Sequence, residues 1–221
     1  MNIRRQHIMV LVLSIITLGF IALSILVHVF PQSGLDVRFS REIQAHQNPV
    51  IDKVMYFIST PGYEPEAPVM VVSTAFILLL FKYKKAALYT IATMLAGLVS
   101  TVIKALINRP RPSDTLVRIV YKTTQQSFPS GHVLFYVVFF GFMVVLMFQL
   151  EDVNKVIRWI VGGISLLMIF SIPLSRIYLG AHWFTDVLGG FLLGLLCLYL
   201  LTWLYLRKRA DREEAPVAEK Q

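Results

Sequence analysis

His182 and Asp186 stand four residues apart where the last apolar segment begins, just after a short stretch that carries Arg176. On a helix, residues i and i+4 share one face, so the carboxylate can accept a proton from the imidazole and leave its other nitrogen free to attack. This is a nucleophile with an orienting partner. Two further clusters give the pair a substrate. Ser127-Phe128-Pro129-Ser130-Gly131-His132 supplies a hydroxyl, a glycine whose backbone can approach an anion closely, and a second histidine. Upstream, Lys104-Ala105-Leu106-Ile107-Asn108-Arg109-Pro110-Arg111-Pro112 sets a lysine at the end of an apolar run and two arginines just beyond it. Lys104, Arg111 and Arg176 together can hold a group with two negative charges, because guanidinium forks match tetrahedral oxygens better than a point charge does. The implied ligand is a phosphate.

The elements that must position these clusters are legible in hydropathy. With 56% hydrophobic and 15% charged residues and a mean hydropathy of +0.66, the chain is too apolar for an ordinary soluble domain of 221 residues. It reads as an integral membrane protein. The net charge of +8 sits at the ends of apolar runs and in the clusters, which points to topology and phosphate and away from nucleic acid. A span needs about 20 apolar residues, and six segments qualify: 8–30, 67–81, 86–107, 133–150, 157–174 and 183–206. The second is short. The first follows Arg4 and Arg5 like a signal peptide, but its apolar stretch is too long and no small-residue cleavage site follows Phe30-Pro31, so it reads as a retained span.

The expected fold is therefore all-α: a membrane bundle of six transmembrane helices. Short interfacial helices are expected in the outer loop between the first two. In that loop, 31–66, Leu35, Phe39 and Ile43 recur every fourth residue, and Asn48-Pro49 looks like an N-cap and first turn for a second short helix. Arg4 and Arg5, then Lys82, Lys84 and Lys85, then Arg207, Lys208 and Arg209 fall on one side if the spans alternate, which makes both termini cytoplasmic. The three clusters then meet on the extracytoplasmic face. Residues 1–221 read as a single membrane-embedded domain, with 207–221 as a cytoplasmic tail.

The clusters resemble the type 2 phosphatidic acid phosphatases, whose pattern is Lys, six residues, Arg-Pro; then Pro-Ser-Gly-His; then Ser-Arg, five residues, His, three residues, Asp. Here these are Lys104 with Arg111-Pro112, Pro129 to His132, and Ser175-Arg176 with His182 and Asp186, within a core of about residues 86–206. Arg109-Pro110 repeats the Arg-Pro pair, and only the spacing from Lys104 favours Arg111. The resemblance assigns the same roles as the residues themselves. His182 attacks phosphorus as neutral imidazole to form a phosphohistidine, and Asp186 fixes its tautomer. Lys104, Arg111 and Arg176, with the Ser130 hydroxyl and the Gly131 N–H, hold the phosphoryl oxygens. His132 protonates the leaving alkoxide and then activates water. The rate should follow a bell with limbs around neutrality.

The resemblance is strongest to bacterial members that convert phosphatidylglycerophosphate to phosphatidylglycerol, whose relatives also take undecaprenyl diphosphate, phosphatidate and lysophosphatidate. The implied partners are a lipid phosphate and the bilayer, with no nucleic acid and no obligate protein. No carboxylate cluster near the motifs suggests Mg²⁺, so no metal or cofactor is expected and activity should survive a chelator. A serine hydrolase lacks its Gly-x-Ser-x-Gly elbow here and leaves three cations unexplained. The similar vanadium haloperoxidases are soluble. The competing class is a lipid-phosphate binding or transport protein, which calls for polar residues running through the spans. His7, His28 and His46 read as packing or boundary residues, and Arg118 and Lys122 as solvated or headgroup-contacting. Cys197, alone in the sequence, has no intramolecular disulfide partner.

Overall fold

The computed structural model describes residues 3–121, 123 and 125–213, with side chains described to Arg207. Lys122, the side chains of Lys208 and Arg209, and the tail from 214 onward lie outside what is described. Among the described residues the chain is all-helical. In order, it forms α1 (Ile3–Val29), α2 (Gly34–Ile43), α3 (Pro49–Ser59), a 3-10 turn (Thr60–Gly62), α4 (Glu66–Leu80) and α5 (Lys84–Ala92). There follow α6 (Leu95–Ile107), α7 (Gly131–Gln149), α8 (Lys155–Tyr178) and α9 (Phe184–Glu213).

Helix starts and stops follow local chemistry. Asn48 accepts from the backbone N–H groups of Val50 and Ile51, and Pro49 fills a first-turn position whose N–H would lack a partner anyway. Ser33 caps α2 through Leu35, and Asn154 caps α8 through Val156. At the end of α6, Asn108 takes the left-handed conformation (φ 51°) and its N–H donates to Lys104 O, which stops the helix one turn after the lysine.

Among the described residues, five of the helical segments are long and apolar enough to cross a bilayer, counting α5 and α6 as one, and the chain is a multi-pass membrane protein. The expected second span corresponds to α4, whose 15 residues rise only about 22 Å against a hydrocarbon core of about 30 Å. It follows Pro49–Gly62 across a 58° bend, and only the two taken together are long and apolar enough to cross, as a broken span or a re-entrant loop. The third expected span is interrupted at Thr93–Met94. There the Thr90 hydroxyl bonds back to Ala86 O at 2.9 Å and that of Thr93 to Thr90 O at 2.6 Å. Such back-bonds compete with the helical ladder and bend it.

The core is organised on α7, which packs against α8 and α9. It is apolar all round, and 61% of its span lies buried, against 6% for α1, as expected of a helix enclosed by others. Tyr136, Phe139, Phe142 and Leu146 of α7 meet Ile169 and Ile172 of α8 and Val187 of α9. By contrast Leu11, Ile15 and Leu18 of α1, Phe76 of α4 and Leu167 and Phe170 of α8 are exposed. Such a band is stable only in contact with lipid.

The connection between α1 and α4 braces one end of the bundle. Phe39 of α2 stacks on Phe184 with ring centroids 4.4 Å apart. Asp52 of α3 accepts from Nη1 and Nη2 of Arg118, at 3.0 and 2.6 Å, and from the Tyr178 hydroxyl at 2.8 Å. Arg118, expected as a solvated or headgroup-contacting side chain, is therefore held in an ion pair.

Candidate active site

The three sequence clusters converge where α6 and α8 end and α7 and α9 begin. Lys104, Arg111, Gly131, His132, Arg176 and His182 all line one cavity of about 400 Å³. Several backbone contacts close this arrangement. The Ser127 N–H donates to Arg109 O at 2.8 Å, folding the loop after α6 back on itself, and the Ser130 N–H donates to Asp186 O at 3.0 Å. A Cβ on Gly190 would stand 2.6 Å from Ser130 O, so α9 can lie this close to the start of α7 only with glycine there.

His182 is 2% exposed, and its Nε2 lies 3.2 Å from Arg111 Nη1. A guanidinium only donates, so Nε2 must be the accepting nitrogen and the ring proton belongs on Nδ1. Nδ1 lies 3.6 Å from Asp186 Oδ2, just outside hydrogen-bond reach, a gap that bound substrate commonly closes in catalytic pairs. Burial first, and then the charges of Arg111, Lys104 and Arg176, hold His182 well below the ordinary histidine value of 6.5. The imidazole is thus the free base at neutral pH.

Arg111 joins two parts of the site. Its Nε donates to Gln125 O at 2.5 Å and its Nη1 to Ala181 O at 2.6 Å, tying the long loop to the turn that carries His182. Burial and the nearby Arg176 push it down to about 10, which leaves it charged. Lys104 donates to Gln126 O at 2.8 Å. Arg176 donates through Nη1 to the Tyr63 hydroxyl at 2.8 Å and to Ser59 Oγ at 3.1 Å, while its Nε has no partner within the protein. The His132 ring meets Tyr63 edge-on at 4.7 Å, and its Nε2 is likewise unpartnered.

Two of the expected site residues lie behind the cavity wall. The Ser130 side chain is fully buried without a partner and is not part of the lining. Asp186 is buried too, and its oxygens are held from several sides. Oδ2 accepts from the Ser127 hydroxyl and from Trp183 N–H at 2.8 Å, and Oδ1 accepts from Arg109 Nη1 at 2.5 Å. Arg109 also donates to Thr185 Oγ1 and to Asp36 Oδ2 of α2, both at 2.7 Å. The two arginines of the doubled Arg-Pro pair therefore divide: Arg111 lines the cavity and meets the histidine, while Arg109 holds the aspartate from behind.

Sequence reasoning named Arg109 only as an alternative to Arg111 and Ser127 only as part of its cluster, and it missed Asp36 and Tyr63. The doubling of Arg-Pro was a signal for the first, and the serine opening the second cluster was one for Ser127. Asp36 gave none beyond its place on a predicted helix.

The chain is similar to several known proteins. Residues 85–210 match the PAP2 superfamily. Phosphatidylglycerophosphatase B of Bacillus subtilis (strain 168) is 31% identical over 192 residues, covering 83% of this chain and 90% of that one. An undecaprenyl-diphosphatase of Sulfolobus acidocaldarius is 29% identical over 188 residues, covering 81% and 84% respectively. The crystal structure of the first transmembrane PAP2 type phosphatidylglycerolphosphate phosphatase from Bacillus subtilis has a TM-score of 0.72 at 24% identity, covering 94% of this chain and 98% of that one. That last likeness carries the fold. The family match over more than half its length, with the 31% identical relative, makes this multi-pass chain a member of the PAP2 superfamily and a phosphatase.

Proposed function

We propose that the enzyme hydrolyses a lipid phosphate through a phosphohistidine on His182, with phosphatidylglycerophosphate as substrate and phosphatidylglycerol and phosphate as products. The observation that carries this reading is the contact of Arg111 with His182 Nε2 at 3.2 Å inside a cavity that also holds Lys104, Arg176 and His132. Once Arg111 turns from this unprotonated imidazole nitrogen to the substrate, Nε2 is free to attack a phosphorus atom whose oxygens the three cations neutralise. As the N–P bond forms, the P–O bond to the lipid breaks and His132 gives its proton to the departing alkoxide. Water then attacks phosphorus, loses a proton to His132 and releases phosphate from His182. Asp186 keeps the Nδ1 proton in place and stabilises the positive charge that develops on the ring. The Gly131 N–H and the Ser130 hydroxyl complete the oxygen ligands, the latter after a rotation toward the cavity. The chemistry calls for no metal.

The cavity continues along Ala67, Pro68 and Val71 of α4 and past Met94 and Gly97 on the other side, an apolar wall suited to an acyl chain. By the distribution of Arg4, Arg5, Lys82, Lys84, Lys85 and Arg207, the termini face the cytoplasm and the site opens on the opposite surface. Similarity to the archaeal undecaprenyl-diphosphatase favours, as a second reading, a diphosphate on a long isoprenoid. Phosphate release by purified protein in detergent decides between them, comparing phosphatidylglycerophosphate, phosphatidate and undecaprenyl diphosphate with His182→Ala alongside. Fastest turnover of phosphatidylglycerophosphate, abolished in the variant, is expected. Preference for the diphosphate transfers the assignment to the second reading, and full activity in His182→Ala overturns the mechanism.

A further inference from the structure

Among the described residues, four that line the cavity carry a buried side-chain polar atom with no partner in the protein: His132, Arg176, His182 and Ser100. The first three have roles in the chemistry above. Ser100 has none, and it lies outside all three sequence clusters.

Its isolation is informative because a helix offers a serine an easy partner. A hydroxyl on a helix ordinarily bonds back to the carbonyl one turn earlier, and the chain does this repeatedly: Ser24 to Phe20 O, Thr74 to Met70 O, Thr90 to Ala86 O, and next door Thr101 to Gly97 O at 3.0 Å. Ser100 is only 4% exposed and leaves its oxygen unbonded. A buried hydroxyl without a partner is destabilising, so the arrangement calls for a ligand.

Position says which one. Ser100 stands one turn before Lys104 on the same face of α6. A Cβ built on Gly131 would lie 3.2 Å from Ser100 Oγ and 4.0 Å from Lys104 Cε, so hydroxyl, lysine stem and the first turn of α7 converge on one point. The N–H groups of that turn receive no side-chain cap from Ser130, and uncapped N–H groups at a helix start favour an anion. We infer that Ser100 is a further substrate-binding residue, donating its hydroxyl to a phosphoryl oxygen held between Lys104 and the start of α7. This rests on the phosphatase reading above but adds a contact that the motifs do not contain.

The test is Ser100→Ala in the full-length protein in detergent, with near-isosteric Ser100→Cys carrying the same comparison if the alanine variant does not purify. Thermal midpoint without ligand, kcat/KM on phosphatidylglycerophosphate, and the rise in midpoint caused by orthovanadate are measured. Loss of one hydrogen bond to a charged group should lower kcat/KM roughly 10- to 100-fold and shrink the vanadate effect. The ligand-free midpoint should hold or rise, since an unsatisfied polar group has been removed. Unchanged kcat/KM with an unchanged vanadate response overturns the inference, and so does a fall in activity matched by a fall in the ligand-free midpoint. Should wild type prove inactive on every lipid tried, the vanadate response still reads the contact, so the two proposals fail separately.

Discussion

Arg109 and Asp186 form an ion pair with neither side chain exposed, Nη1 to Oδ1 at 2.5 Å, and the same guanidinium reaches Asp36 at 2.7 Å. One cation thus serves two buried carboxylates, one on Asp186 beside His182 and one on α2. Removing a partner from such a group leaves uncompensated charge in a low-dielectric interior. Arg109→Met is expected to destabilise by about 3–5 kcal/mol, seen as a lower thermal midpoint in detergent. Arg109→Lys should recover only part of this, because an ammonium cannot span both carboxylates.

His182→Ala should abolish turnover. Asp186→Asn should lower kcat on the order of 10³-fold or more, as when a comparable orienting aspartate is neutralised. A phosphoramidate survives alkali and is lost in acid, so an alkaline quench of enzyme turning over a radiolabelled lipid phosphate should retain label on wild type and none on His182→Ala. Absence of label on rapidly quenched wild type would argue for direct attack by water.

The acid limb of the pH profile should lie below 6.5, lower than free histidine would place it. Protonation of His182 removes the nucleophile, and burial with the surrounding cations disfavours that protonation, so the neutral form persists as pH falls. Removing a neighbouring positive charge reverses the sign. Arg111→Gln should raise the histidine pKa and move the acid limb of kcat/KM toward neutrality, alongside a large loss of rate. An acid limb at the same pH in both proteins would show that another group sets it.

Turnover should be the same in EDTA as in added Mg²⁺. Among the described residues no group of three or more His, Cys, Asp or Glu side chains is arranged to hold a metal ion. Loss of phosphate release in chelator, restored by a divalent cation, would overturn the metal-free chemistry.

The sequence revealed whatever is local. Apolar run lengths read out the spans, the Leu35, Phe39 and Ile43 spacing read out α2, and Asn48-Pro49 read out the start of α3. The break at Thr93–Met94 escaped because threonines in an apolar run look the same whether or not they bond back to the helix. The spacing from Lys104 singled out Arg111, but the long-range partners of its neighbour escaped: Arg109 meets carboxylates 73 and 77 residues away, a pairing that no periodicity encodes. Ser100 was hidden for the opposite reason, since its significance is a hydrogen bond it does not make.

The contrast between an enclosed α7 and a lipid-facing α1 divides the protein into two regimes of mutational tolerance. Over the buried stretch of α7 from Val133 to Met143 most side chains abut others, so a substitution there must match volume and shape, and a misfit is transmitted to His132 at its end. Along most of α1 the neighbour is fluid hydrocarbon, which accommodates any outline, so one oily residue there can replace another with little effect on catalysis.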